Sequence, residues 1–315
     1  MILVCGEALI DLFVQAKADG NLAAEPVAGG SPYNVAIGLA RLGSRAAYFG
    51  GLSNDAFGML LVGRLQREGV ELRFAPRSDR PTTLVIVSTN AAGVPTYRFI
   101  GEGAADRMLS LADLPATLPD DVKAITFGSL SMGVEPTGAT YLALATREKG
   151  KRVISVDPNL RTTVVGEISA WRVRLERFIA TANIVKSSIE DIEGTYGHGA
   201  SAANVAAGWL KSGPSLVIVT RGAEGAAAYW AGGSADIAGR TVKVIDTVGA
   251  GDTFHAALLN HFERKGQLTP AGLKSLTEPS VKEALAFATA AAAVTCTRRG
   301  ADMPSLADAE AMLKS

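Results

Sequence analysis

The sequence carries no excess charge of either sign: 31 lysines and arginines cancel 31 aspartates and glutamates. No block of like charge is long enough to build a strongly basic face, which argues against nucleic acid or a membrane surface as partner and leaves a small molecule. Cysteine is scarce as well. Cys5 and Cys296 each sit in an apolar run, Ile2–Cys5 and Ala290–Cys296, a setting for buried, reduced thiols rather than a disulfide, and so for a reducing cytoplasm. No basic leader precedes Ile2–Cys5, so that stretch is expected to be a strand rather than a secretory signal, and the chain is expected to stay in the cytoplasm. The most apolar later stretch, Ala284–Val294, falls far short of the roughly 20 residues that span a bilayer, and Lys282 and Glu283 precede it. A buried helix is expected there. Neither an internal repeat nor a low-complexity linker divides the 315 residues, a length that a single α/β sheet can hold.

What is present is a recurring alternation. Short runs rich in valine and isoleucine (Ile2–Cys5, Ala47–Phe49, Ala124–Phe127, Val153–Val156, Asn183–Val185 and Leu216–Val219) are separated by stretches of helical period. That is the pattern of a mostly parallel sheet covered by helices on both faces. Leu12–Ala28 and Thr82–Phe99 break it, the second with turn residues at Asn90–Pro95. These two segments are expected to form a small separate sheet that could cover a substrate cleft as a lid. Gly197–Ala207 and Gly266–Glu278 read as surface loops or helix ends.

Three constellations carry chemistry. Asp246–Phe254 (DTVGAGDTF) follows the strand-like Val242–Ile245 and precedes the helical run Ala256–Phe262. Gly249, Ala250 and Gly251 have little or no side chain, so their amides can close on an anion while the helix dipole adds positive potential. Asp252 beside them is either the acceptor of a proton from an attacking hydroxyl or the cap of its own helix. No Walker-type lysine follows the turn, and no Gly-x-Gly-x-x-Gly follows the first strand, which sets aside a dinucleotide oxidoreductase. In Gly29-Gly30-Ser31-Pro32-Tyr33-Asn34, Ser31 suits an N-cap, Pro32 the first helical position, and Gly43 the helix end. Asn34 then lies in the first turn, where its amide can serve two ligand hydroxyls or its own helix. Asp11 can accept from two neighbouring hydroxyls or stand as a solvated acid, and Glu7 also suits a structural hydrogen bond. Asp157-Pro158-Asn159-Leu160-Arg161 ends a strand at the carboxyl edge of the sheet, so Arg161 meets either phosphate or a surface carboxylate.

DTVGAGDTF closely resembles the C-terminal signature of the ribokinase-like (PfkB) carbohydrate kinases. Gly29–Asn34 with the following VAIGLARLG resembles their N-terminal signature, Leu42–Gly58 continues the match, and the likeness runs from GEALID to CTRRGADMPS. The resemblance implies an α/β ribokinase-like three-layer sandwich with a mostly parallel central sheet and a small β lid. It also implies one domain over 1–315, with lid segments near 12–28 and 82–107. ATP and Mg2+ are the implied cofactors, with K+ as a further candidate. Asp252 becomes the base, Gly249, Ala250 and Gly251 the anion hole, and Arg161 the arginine of the family's DPNxR stretch. Asp11, Gly29, Gly30 and Asn34 bind the sugar on this resemblance. Lys186-Ser187-Ser188-Ile189-Glu190-Asp191 resembles the stretch where the family often has Asn-x-x-Glu, which orders magnesium through water. The asparagine is missing here, and Glu190 and Asp191 both stay open as the acid. Thr220–Gly225 looks like the nucleotide-phosphate turn, through Thr220, Gly222 and Gly225, or is an ordinary β-turn. Lys186, Gly249 and Gly251 complete the implied nucleotide set. Asp246, backbone near Val248 and the Arg299-Gly300 turn are the implied monovalent-cation site.

For the substrate, Tyr97-Arg98-Phe99 leading into Gly103–Arg107 resembles bacterial fructokinases, as does Cys296–Ala301. D-fructose phosphorylated to fructose 6-phosphate is the expectation. A 2-keto-3-deoxygluconate kinase would instead present Tyr97, Arg98 and Arg107 to a carboxylate. A non-catalytic sugar-binding regulator would have lost the aspartate, and Asp252 is intact. Exposed lid edges favour a homodimer.

Overall fold

Strands that are buried on both faces need no polar alternation, and the apolar runs near the N-terminus and through the second half form such strands. The computed structural model describes residues 1–89 and 95–315. In chain order its strands are β1 (Ile2–Cys5), β2 (Leu9–Ala16), β3 (Leu22–Gly29), β4 (Ala46–Phe49), β5 (Leu52–Ser53), β6 (Arg77–Ser78) and β7 (Leu84–Thr89). They continue with β8 (Pro95–Ile100), β9 (Ala124–Gly128), β10 (Val153–Asp157), β11 (Ile184–Ser188), β12 (Leu216–Thr220), β13 (Ala226–Trp230) and β14 (Gly233–Ile237). The helices are α1 (Ser31–Arg41), α2 (Ala56–Arg67), α3 (Thr137–Glu148), α4 (Thr162–Val165), α5 (Ile168–Ile179) and α6 (Ile189–Tyr196). After them come α7 (Ala202–Ser212), α8 (Ala250–Arg264), α9 (Pro270–Lys274), α10 (Glu278–Cys296) and α11 (Leu306–Lys314).

Eight strands make the central sheet in the order β14-β13-β12-β11-β10-β9-β1-β4. Pairing is parallel from β12 through β4, and β13 and β14 pair antiparallel. Alternate strand residues divide the core in two. Ile2, Val4, Ala124, Val153 and Ile184 join α1, α8 and α10 in one layer. Leu3, Ile125, Ile154, Val185 and Val217 join α3, α5 and α7 in the other. The three-layer sandwich is therefore the direct result of a period-two side-chain pattern buried on both sides. Within this order β1 has β4 on one flank and β9 on the other. The direction of winding reverses there, and a crevice opens beyond the carboxyl ends of the strands.

The expected small sheet is also present, with strand order β3-β2-β7-β8. The hairpin turn expected at Asn90–Pro95 lies outside the described residues, except that β8 starts at Pro95 and pairs antiparallel with β7. Asp11 pairs with Val85, and Val85 with Phe99, so Leu9, Asp11, Phe13, Val85, Val87, Tyr97 and Phe99 share the face turned to the crevice.

Several local expectations change. Val242–Ile245 is not a strand: Val244 and Ile245 are exposed, and the segment's backbone tie is Ile245 N–H to the Cys296 carbonyl at 2.8 Å. Strand propensity alone does not make a strand where the segment pairs with no neighbouring strand. Cys296, at the end of α10, is half-buried rather than buried, whereas Cys5 in β1 is buried. Gly197–Ala207 and Gly266–Glu278, expected as surface loops or helix ends, both hold helix starts: Ser201 caps α7, and Thr269 caps the short α9. Ala284–Val294 lies in the buried α10 as expected, and no helix among the described residues is long and apolar enough to cross a membrane.

Candidate active site

The strand ends and the small sheet enclose a cleft of about 810 Å3. Its floor comes from residues just past the carboxyl ends of the central strands: Glu7 after β1, Ser129 after β9, Asn159 after β10, and Lys186 within β11. One wall is the start of α1, with Gly30, Ser31 and Asn34. The opposite wall is Asp246–Asp252, and the roof is the inner face of the small sheet.

Asp252 sits in the first turn of α8, yet its side chain caps nothing. Both carboxylate oxygens are instead held from α1: Ser31 Oγ donates to Oδ1 (2.6 Å) and Asn34 Nδ2 donates to Oδ2 (2.9 Å). Each oxygen keeps a lone pair for another donor. Burial pushes the carboxyl above the usual aspartate range, the Ser31 and Asn34 bonds pull it back, nearby Asp157 raises it further, and Lys186 opposes that. These two bonds correct the reading of Ser31 as the N-cap. Gly30 holds that position with φ 107°, and no side chain caps the helix. Pro32 is accordingly the second helical residue.

The turn before α8 is built for an anion. Gly249 adopts the left-handed region at φ 79°, and a Cβ there would lie 2.7 Å from the Ala301 methyl, so any side chain is both strained and crowded. The Ala250 amide is already bonded to the Thr247 carbonyl (3.2 Å), which removes it from the expected anion hole. Gly251 and Asp252 supply the amides with no backbone partner among the described residues. Beneath them Lys186 is buried, with Nζ 3.0 Å from Asp157 Oδ2. That ammonium stands 3.3 Å from where a Cβ of Gly251 would be. Burial alone would lower its pKa, but the Asp157 carboxylate together with Asp191 and Asp252 outweighs this and holds it above the ordinary lysine value. Arg161 is exposed on the cleft wall, makes no ion pair among the described residues, and lowers the pKa of both Asp11 and Glu7 through space. Asp11 lies under Gly29, where a Cβ would come within 2.5 Å of Oδ2.

Other expected residues are elsewhere. Arg98 falls between the cleft-facing Tyr97 and Phe99, so strand alternation turns it to the outer face opposite Ile86. Arg107 follows the buried Asp106 in a short 3₁₀ turn (Ala105–Arg107), and its guanidinium packs against Gly101 rather than lining the cleft. Asp191 is committed to structure: Oδ1 accepts from the Leu160 amide (2.7 Å) and Oδ2 from the Ser188 amide (3.0 Å). Glu190 is exposed and outside the cleft lining, and no group of three potential metal-ligating side chains occurs among the described residues. Thr220, Gly222 and Gly225 also stand apart from the cleft. Gly225 is demanded by close packing, since a Cβ would strike the Ile237 carbonyl and the Gly239 amide. Residues 237–241 there line a second groove of about 380 Å3 with Ala286 and Thr289. Asp246 accepts from the amides of Val248 (3.0 Å) and Gly300 (2.8 Å), so the three implied cation-site segments do meet.

Sequence reasoning missed the bond from Ser31 to Asp252 and the buried His255. The first was hidden by the Ser-Pro capping pattern. A histidine three residues past Asp252, directly before the apolar run Ala256–Leu259, was the available signal for the second.

Sheet order and cleft together define a class, the α/β kinases that act on small hydroxyl-bearing molecules. The pattern of the pfkB family carbohydrate kinases matches residues 1–308, and the chain belongs to that family. It is 40% identical to the fructokinase of Rhizobium leguminosarum bv. trifolii over 282 residues, 90% of this chain and 86% of that one. Its structure is similar to that of Xylella fastidiosa fructokinase with bound ATP, at a TM-score of 0.91 and 28% identity over 99% and 98% of the two chains. It is also similar to Vibrio cholerae fructokinase with fructose, ADP and calcium bound (TM-score 0.80, 26% identity, 99% and 98% coverage).

Proposed function

We propose that this kinase transfers the γ-phosphoryl group of ATP to a primary hydroxyl of D-fructose, giving fructose 6-phosphate in the cytoplasm. The observation that carries the reading is the orientation of Asp252: held from α1 and free of any capping duty, it borders the cleft beside the glycine turn. Asp252 accepts the proton of the attacking hydroxyl, and a carboxyl raised by burial is a better base near neutral pH than an ordinary aspartate. The amides of Gly251 and Asp252, the positive end of α8 and Lys186 stabilise charge on the transferring phosphoryl group. Arg161 adds positive charge at the cleft wall.

Asp11, Asn34 and the backbone at Gly29 and Gly30 bind the sugar hydroxyls. Tyr97, Phe13 and Phe99 close over them and exclude water, the lid role of the small sheet. The nucleotide runs from the glycine turn past Thr220–Gly225 toward the groove at 237–241. Mg2+ fits as an ion carried chiefly by the nucleotide phosphates, where it supplies charge neutralisation, since Asp191 is engaged by backbone amides. K+ is assigned to the Asp246, Val248 and Gly300 corner. The outer edges of the small sheet, with Leu22 and Ile100 exposed, are the surface for a homodimer.

Fructose is favoured over 2-keto-3-deoxygluconate by the charge of the cleft. Glu7, Asp11 and Asp252 line it against Arg161 and the Asp157-paired Lys186, while Arg98 and Arg107 are not among its lining residues. Asp252→Asn tests the base. Turnover is expected to fall roughly 100-fold or more while calorimetric fructose affinity changes little. Near-native turnover would refute the role.

A further inference from the structure

A chain of buried polar groups runs beneath the cleft, and most of it touches nothing that reacts. Its centre is Asp157, the last residue of β10, whose side chain is 4% exposed. Oδ2 accepts from Lys186 Nζ at 3.0 Å and faces His255 Nδ1 at 3.3 Å. Oδ1 is buried with no partner among the described residues, so the orientation of Asp157 depends on Lys186 and His255. His255 lies three residues past Asp252 on α8 and points inward. Its far side is fixed as well, with Nε2 2.8 Å from Ser155 Oγ and 3.3 Å from Thr126 Oγ1.

The chemistry sets the direction of these bonds. A carboxylate only accepts, so Nδ1 carries the proton toward Asp157; with Nε2 unprotonated, its single lone pair accepts from Ser155 Oγ, the nearer of the two hydroxyls. Burial alone would raise the Asp157 carboxyl, but Lys186 and His255 override it and leave it below the ordinary range. An apolar residue would fill this place on α8, among Phe254, Ala256 and Leu258, with no polar group to satisfy. The imidazole instead links three central strands: Thr126 on β9, Ser155 and Asp157 on β10, and through Asp157 the lysine on β11.

We infer that His255 is a positioning residue: through Asp157 it fixes the ammonium of Lys186 against the glycine turn where the phosphoryl group is held. The inference rests on the reading that this turn takes the nucleotide phosphates. Lysine carries four rotatable bonds and a compact charge, so a single mobile carboxylate would leave it free to swing. A carboxylate braced from two sides does not.

The test compares His255→Leu, which removes both ring nitrogens at similar volume, with His255→Asn, whose amide can still donate toward Asp157. Each is measured alone and with Lys186→Met. ADP affinity is read by calorimetry without sugar, and kcat and KM by fructose-dependent ADP release, with thermal melting as the control for folding. His255→Leu is expected to weaken ADP binding and kcat/KM for ATP by roughly 10- to 100-fold while KM for fructose stays within about threefold. His255→Asn should keep both within about fivefold of the parent, and His255→Leu should add less than about twofold once Lys186 is methionine. Equal losses in the two variants, or losses that multiply with Lys186→Met, would overturn the inference. If His255→Leu does not fold, Ser155→Ala, which releases Nε2, should weaken ADP binding by about three- to tenfold, and unchanged ADP affinity overturns the inference. Failure of the parent protein to phosphorylate fructose would instead count against the substrate reading, since the ADP measurement needs no sugar.

Discussion

Asp11→Asn is expected to stabilise the folded protein at neutral pH while weakening its hold on sugar. Asp11 stands on the inner face of the small sheet, and its carboxylate accepts no hydrogen bond among the described residues. Burial raises it from 3.8 to about 6, with Arg161 opposing part of the rise. A raised carboxyl destabilises the fold once it must ionise. Below about pH 4 both folded and unfolded chains carry the proton, and there is no penalty. Between about pH 4 and 6 the unfolded chain loses its proton first, so stability falls as pH rises, and above 6 the loss is constant. Two pH units correspond to about 3 kcal/mol as a ceiling, and partial solvent access at the cleft mouth trims this to about 1–2 kcal/mol. Asparagine removes the effect with almost no change in volume. The melting temperature of Asp11→Asn should match the parent near pH 4 and exceed it by about 2–5 °C at pH 7 to 8. A difference that does not vary with pH, or a variant less stable than the parent at pH 7, would refute the reasoning. KM for fructose should rise in the same variant, since an acceptor has become partly a donor.

Ser31→Ala removes the 2.6 Å bond that holds the Asp252 carboxyl down. The acidic limb of the kcat/KM profile should therefore move to higher pH, with a stability loss of about 1–2 kcal/mol, and an unmoved limb would contradict the role of Ser31. Gly249→Ala and Gly251→Ala should separate folding from function. The first meets both φ 79° and the Ala301 methyl and should lose about 1–3 kcal/mol in denaturant melts. The second lies in helical backbone, where alanine is favoured, but crowds Lys186, so stability should hold while KM for ATP rises.

The sheet was legible because six of its strands are short apolar runs bounded by turns, and burial on both faces leaves no competing period. β13 and β14 were less so. Alanine-rich Ala226–Trp230 and polar Gly233–Ile237 carry little strand propensity; the first pairs with the edge of β12, and the second with the edge that the first then presents. Val242–Ile245 shows the converse: its β-branched residues carry strand propensity, yet Val244 and Ile245 are exposed and the segment joins no sheet. Asp252, Asn34, Asp11 and Lys186 were legible as cleft-lining residues because their neighbours in sequence form local motifs. What failed needed three dimensions. Strand alternation turned Arg98 outward, backbone bonds occupied Asp191 and Ala250, and the links from Ser31 to Asp252 and from His255 to Asp157 join residues 221 and 98 positions apart.

Phosphorylation of competing sugars bears most directly on the central claim, that this cleft passes a phosphoryl group from ATP to a neutral ketohexose. With saturating MgATP, kcat/KM is measured by coupled ADP release for D-fructose and for 2-keto-3-deoxygluconate. The account predicts a preference for fructose of at least about tenfold, because an acid sugar would bring its carboxylate among Glu7, Asp11 and Asp252 with Arg161 as the only arginine on the cleft wall among the described residues. A tenfold preference for 2-keto-3-deoxygluconate, lost on Arg161→Ala, would contradict it.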